Sequence, residues 1–288
     1  MSISNECMIS NLQIGIWMGY RLDKEASREL TERAHADHDA ARVNKHLVPK
    51  EALKPVIGAA NAVRTHFYDK TLPWKDNGDR VLTRKMYTKF IEKHEELVRY
   101  FHEAVERFLS VDYGAARERA AFRMGELFNS GDYPSVLDLQ RRFYVHLDID
   151  AVTEAGDFRV EMDEKHLASV RKNIENATHE RLGRAMQDVW SRLAETLGHF
   201  AEKMGSDEIF RDSTVRNLEE IVELLPELNI LNDANLEKIR QDIAGSLVGY
   251  EPKNLRKDPD VRNMAATEAK RIMDNMRGFM QAFGQAAE

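Results

Sequence analysis

Between Asp163 and Met204 the apolar residues Leu167, Val170, Ile174, Met186, Val189, Leu193, Leu197, Phe200 and Met204 recur at helical spacing. A stripe with this period is the buried face of an α-helix. Read as one helix over 163–204, it is a rod of roughly 60 Å at about 1.5 Å per residue, interrupted if anywhere at Gly183 or Gly198. A rod of that length cannot cover its own stripe, so the rest of the chain must supply helices to pack against it.

Periodicity predicts those helices at 23–41, 49–70 and 83–128, then at 214–225, 234–248 and 259–284. Pro49 suits a first turn, Pro226 reads as a stop, and Asp258 and Gly284 read as the cap and stop of the last helix. Two stretches alternate with period 2 instead. Leu12, Ile14, Ile16, Met18 and Tyr20 describe a strand over 11–20 with one buried face. The segment 143–162 reads as a hairpin, with Phe143, Val145, Leu147 and Ile149 on one arm and Phe158, Val160 and Met162 on the other. The expected fold class is therefore mainly α (α+β), a bundle of long helices with a small three-stranded antiparallel β-sheet. With no Pro-rich or Ser/Gly linker and no internal repeat, 1–288 reads as a single intertwined domain.

Composition excludes several classes. No run approaches the roughly 18 to 20 apolar residues that span a bilayer. The first ten residues lack the basic start and apolar run of an export signal, so the expected location is the cytoplasm. Cys7 is the only cysteine, which rules out an internal disulfide and a cysteine-rich zinc site; near a terminus expected to fray, it is no nucleophile candidate. There is no phosphate-cradling GxxxxGK[ST] loop, no GxGxxG, no HExxH and no GxSxG elbow. No catalytic, cofactor-binding or metal-ligating residue is assigned on this reading, and no cofactor is expected.

Charge is unevenly spread. Asp148, Asp150, Glu154, Asp157, Glu161, Asp163 and Glu164 lie within 17 residues that contain one basic side chain, Arg159. Such a cluster suits a solvated loop with a helix cap, a surface for a basic partner, or a Mg²⁺ site of the kind used in phosphoryl transfer. Asp148, Asp150, Glu154, Asp157 and Glu161 are the candidate partner surface. The opposite sign gathers in 64–94, where eight basic residues face four acidic ones and aromatics are interleaved. Arg64, Lys70, Trp74, Lys75, Arg80, Arg84 and Lys85 are the candidate nucleic-acid surface, since cations neutralise phosphates and exposed rings stack on bases. The whole-chain charge of −7 opposes a polyanion, so nucleic acid is the alternative and not the favoured partner. His35 and His38 share the spacing of one helix face, but no further ligands accompany them, and His94 falls in an apolar stripe where a core role fits best.

Several short runs are also distinctive. They are Thr71-Leu72-Pro73-Trp74 with Gly78-Asp79-Arg80, Asp132-Tyr133-Pro134-Ser135, and Gly156-Asp157-Phe158-Arg159-Val160. Further along come Phe210-Arg211-Asp212, Leu224-Leu225-Pro226-Glu227-Leu228-Asn229, Asn254-Leu255-Arg256-Lys257-Asp258-Pro259 and Arg262. Together they resemble a bacteriophage and prophage family of unknown function over nearly the whole chain. The resemblance carries no catalytic residues. It implies an accessory protein acting in the infected bacterial cell, and genes of that family often neighbour those of a MoxR-like AAA+ ATPase and a von Willebrand factor A domain protein. The functional expectation is thus a non-enzymatic protein acting through protein–protein contacts, as a homo-oligomer or with an AAA+ partner. A single-stranded nucleic-acid binding or annealing protein and a metal-dependent phosphoryl-transfer enzyme are the alternatives.

Overall fold

A computed structural model of the chain describes residues 3–286 apart from 159 and 207, with side chains described as far as residue 279. The elements follow in the order β1 (Cys7–Gly15), β2 (Tyr20–Asp23), α1 (Lys24–Arg33), β3 (Val43–His46), α2 (Lys50–Lys70), β4 (Leu72–Pro73) and β5 (Arg80–Thr83). Then come α3 (Arg84–Arg107), α4 (Tyr113–Met124), α5 (Val136–Gln140), β6 (Tyr144–Ala151), α6 (Glu164–Met204), α7 (Asp212–Leu228), α8 (Ala234–Ser246), α9 (Pro252–Lys257) and α10 (Pro259–Ala286). The chain is mainly helical with small antiparallel sheets, as the periodicity requires.

The sheet is not the single three-stranded one expected. One sheet has four strands in the order β4-β5-β1-β6, and β2 pairs with β3 in a separate two-stranded ribbon. The alternating run 11–20 is cut in two because Gly19 turns the chain at φ +69°, where an added Cβ would lie 2.7 Å from Val48 and 2.8 Å from Leu53. Trp17, out of phase with the run, is the residue that is buried there. The second arm of the expected hairpin is not a strand among the described residues: Val160 and Met162 are exposed, and Arg159 lies outside the described residues. Three residues in alternation were too few to specify pairing.

Helix boundaries move for similar reasons. The expected helix 23–41 ends at Arg33, with His35 at φ 53°, because no apolar side chain beyond Leu30 offers it burial. The helix expected over 83–128 is broken by a π-helical turn at Phe108–Asp112 that buries Phe108 and re-phases the face presented by α4. Pro226 does not stop α7; burial of Leu225 and Leu228 carries the helix past it. By contrast α6 runs unbroken for 41 residues through both glycines, its first turn capped by Asp163, whose carboxylate accepts from the His166 amide at 3.1 Å.

The chain gathers into two compact units built from discontinuous segments. Met1–Asn11, Tyr68–Thr88 and Asp148–Glu288 form the first. Here α6 packs on α7 and α10, and α8 packs on the same two helices, burying Met186, Trp190, Leu193, Leu197 and Phe200 of α6, Leu218 and Val222 of α7, Ile239 and Ile243 of α8 and Ile272 of α10. Each such side chain contributes roughly 1.5–3 kcal/mol. Gly284 does not stop the last helix, since α10 runs on to Ala286. Leu12–Phe67 and Lys89–Leu147 form the second unit, whose core joins Trp17, Leu47, Val56, Phe101, Phe108, Tyr113 and Phe143. No linker marks the units in the sequence because the chain passes between them inside β1, α2, α3 and β6.

Candidate functional site

The basic, aromatic segment of the first unit is built around the β4–β5 hairpin. Its turn is closed by Trp74 and Lys75 amides donating to the Asp79 carbonyl, both at 3.1 Å. The Asp79 carboxylate accepts from Asn11 and Lys75 at 3.1 Å and from Asn77 at 3.2 Å. Burial alone would raise its pKa, but these hydrogen bonds outweigh burial and hold it below the ordinary carboxylate value.

Beside this turn, two arginines converge on the C-terminal end of α2. Arg80 donates to the Thr71 hydroxyl and carbonyl at 2.7 Å and covers the Tyr68 ring at 4.8 Å. Arg192 donates to the Asp69 and Thr71 carbonyls at 2.9 Å and pairs with Asp188 at 2.7 Å. Carbonyls at a helix end have no helical partner, and the negative end of the helix dipole favours cations. The arginines are therefore structural caps. Burial, then the neighbouring Arg192, lowers the pKa of Arg80.

The other members of the candidate nucleic-acid surface disperse. Trp74 is only 4% exposed, with the Arg181 guanidinium 5.7 Å from its ring, so its face is closed to a base. Lys75 pairs with Asp79 and Arg84 with Glu6. Arg84 and Lys85 line a cleft of about 230 Å³ together with Glu6 and Glu227, which balance their charge. Lys70 is half-buried as the last residue of α2, and Arg64 belongs to the second unit, where it donates to Asn61 at 3.0 Å.

Part of the acidic segment serves the fold. Glu154 accepts from the Ser4 amide at 2.9 Å, and Asp157 accepts from the Glu154 amide at 2.8 Å, closing the turn Ala155–Asp157. Asp163 caps α6, and the hydrogen bond from His166 lowers its pKa. Asp150 and Glu161 are exposed and Asp148 is half-buried on β6, a strand with no buried residue. Among the described residues no group of three or more His, Cys, Asp or Glu side chains could hold a metal ion. His35 and His38 lie in an exposed loop, not on a helix face. Cys7 is not frayed: it is buried in β1 opposite Thr83, and burial, then Glu6, pushes its pKa up to about 12. No helix of the described residues is long and apolar enough to cross a membrane.

Sequence reasoning missed the polar joint of the second unit. Lys45 bridges Asp132 at 2.6 Å and Asp23 at 3.2 Å, and Arg21 reaches Asp132 at 3.2 Å. The hydrogen bond to Asp132 raises the pKa of Lys45, against the effect of burial. Only the alternation Tyr20-Arg21-Leu22-Asp23 hinted at it, and alternation does not say which face is inward. No protein-family model matches this sequence, no curated protein matches it, and no solved structure matches its fold.

Proposed function

We propose that this protein is a non-enzymatic accessory protein that acts through protein–protein contacts, docking a basic partner on the acidic strand and loop that begin at Asp148. The observation that supports this reading is β6 itself: Asp148 and Asp150 stand on a strand with no buried residue, next to exposed Asp157 and Glu161. The charge balance agrees. The segments of the first unit carry 24 basic and 32 acidic residues, those of the second 18 and 17, so the negative field belongs to the unit that holds this surface. The resemblance to the phage family makes the partner a MoxR-like AAA+ ATPase, working with a von Willebrand factor A protein in the infected cell.

The test is binding of the purified chain to a MoxR-like AAA+ ATPase, across a salt series. Reversing Asp150 and Glu161, both exposed, to lysine is expected to weaken binding at least tenfold and to flatten its salt dependence. Binding that is absent from the wild type, or indifferent to the reversal, refutes the proposal.

A further inference from the structure

The turn between β4 and β5 carries the dipeptide Asn77-Gly78, and no other asparagine of the chain is followed by glycine. Asn-Gly suits such a turn because glycine accepts the backbone angle it requires, here φ +94° at Gly78. The same pairing has a chemical consequence. Glycine has no Cβ to shield its own amide nitrogen, which lies within ring-closing reach of the side-chain carbonyl carbon, Cγ, of the asparagine before it. A bond between the two closes a five-membered ring, so the attack is intramolecular and needs no second molecule to bring the reactants together.

The turn arranges the reacting groups. Asn77 Oδ1 accepts from the Asp79 amide at 3.1 Å. That bond folds the side chain back over the Gly78 peptide, and it places a donor on the oxygen that becomes negative when Cγ is attacked. Asn77 Nδ2, the leaving nitrogen, donates to the Asp79 carboxylate at 3.2 Å. The Trp74 and Lys75 amides, both donating to the Asp79 carbonyl at 3.1 Å, keep the turn in this shape. Asn77 and Gly78 are both exposed, so water reaches the bonds that form and break.

We propose that Asn77 is a self-modification site, losing its side-chain amide in the folded chain to attack by the Gly78 nitrogen and so releasing the clasp of Asp79 on the turn. The Gly78 nitrogen gives its proton to water and bonds to Asn77 Cγ. The Cγ–Nδ2 bond breaks, and the departing nitrogen takes up a proton from water and leaves as ammonia. Water then opens the resulting succinimide: cleavage between Cγ and the ring nitrogen leaves aspartate at 77, and cleavage at the main-chain carbonyl leaves isoaspartate. In sum an amide and a water become a carboxylic acid and ammonia, with no change of oxidation state. Either product undoes the clasp. Aspartate puts a second carboxylate where Nδ2 stood, 3.2 Å from that of Asp79, and like charges so close oppose each other. Isoaspartate lengthens the main chain of the turn by a methylene. Asp79 also accepts from Asn11 of β1 at 3.1 Å, so the strand tied to the turn is affected with it.

The test is peptide mass spectrometry of the folded full chain after incubation in mildly alkaline buffer, with enzymatic methylation of isoaspartate to tell the two products apart. Asn77 is expected to convert to both products at least about tenfold faster than any other asparagine, Asn129 before Ser130 included. Asn77→Asp, which installs one product directly, is expected to speed hydrogen exchange of the Trp74 and Lys75 amides at least about tenfold. A folded chain in which Asn77 stays intact, or converts only after denaturation, overturns the proposal. So does an Asn77→Asp variant whose turn amides exchange as slowly as those of the wild type.

Discussion

Acid should destabilise the second unit through one histidine. His94, on α3, is 5% exposed, stacked on Phe90 at 5.5 Å, and its Nδ1 has no hydrogen-bond partner. Burial, with His66 nearby as the second cause, lowers its pKa from 6.5 to about 4. The folded state therefore holds the ring neutral in a range where the unfolded chain has already taken a proton. Stability contributed by the neutral ring is complete above about pH 6.5 and is lost as pH falls toward 4, because the unfolded state binds more protons there. With these two values the loss is about 2 kcal/mol at pH 5 and about 3 kcal/mol at pH 4.

The perturbation that isolates this effect is His94→Phe, which keeps a ring beside Phe90 and removes the titration. At pH 7 the variant should be at least as stable as the wild type, because it also removes a buried unpaired nitrogen. Two compact units need not unfold together, so the assay is native-state hydrogen exchange of the α3 amides near position 94. Comparing the two proteins at each pH cancels the intrinsic pH dependence of exchange and every carboxylate they share. Equal losses of protection in wild type and variant between pH 7 and pH 5 would refute the reasoning.

Other predictions rest on single joints. Asp233 caps α8 by accepting from the Asn235 amide at 2.9 Å and also receives the buried Trp190 indole N–H at 3.1 Å. Asp233→Ala should cost about 2–4 kcal/mol in denaturant unfolding, the cap and an orphaned donor together; a cost under about 0.5 kcal/mol, within the range of ordinary surface changes, argues against both roles. Gly19→Ala places a Cβ against Val48 and Leu53 at positive φ and should cost about 1–3 kcal/mol by the same measurement. Cys7, buried and protonated at neutral pH, should resist a thiol reagent in the native protein and react fully in denaturant; rapid native labelling contradicts its burial. Arg262 donates to the Lys203 and Glu208 carbonyls at 2.7 Å and lies over Phe210 at 5.3 Å. Arg262→Met should raise hydrogen exchange in the loop before α7 while leaving α6 protected at Trp190.

Long helices were legible because burial repeats their signal many times. Asp163 before α6 and Asp258-Pro259 before α10 mark their starts with chemistry that acts locally. Short elements were not legible, because their outcome depends on distant residues. The run 11–20 keeps period 2, yet Trp17 wins the buried position because Phe108 and Tyr113 offer it rings at 6.1 and 5.7 Å, and no local rule reports their arrival. The same limit governed the site residues. Arg80 and Trp74 read as binding groups from their types, and become a cap and a core side chain only because α6 brings Arg192 and Arg181 beside them.

Several residues of the distinctive short runs hold their own unit together. Asp79 and Arg80 clasp the β4–β5 turn and the end of α2. Asp132 receives Lys45, Tyr133 donates to the Leu47 carbonyl at 3.0 Å, the Pro134 carbonyl accepts from Tyr113 at 2.6 Å, and Ser135 caps α5. Phe210 is held between Arg256 and Arg262, and Arg256 also pairs with Asp212. Most are charged or aromatic side chains whose partner is backbone or another side chain of the same unit. Where the joint is buried, as between Tyr133 and the Leu47 carbonyl, removing one partner leaves the other unpaired at about 1–3 kcal/mol. Function has to be sought instead at exposed side chains outside these joints, such as Asp150 on β6 and Glu161 beyond it.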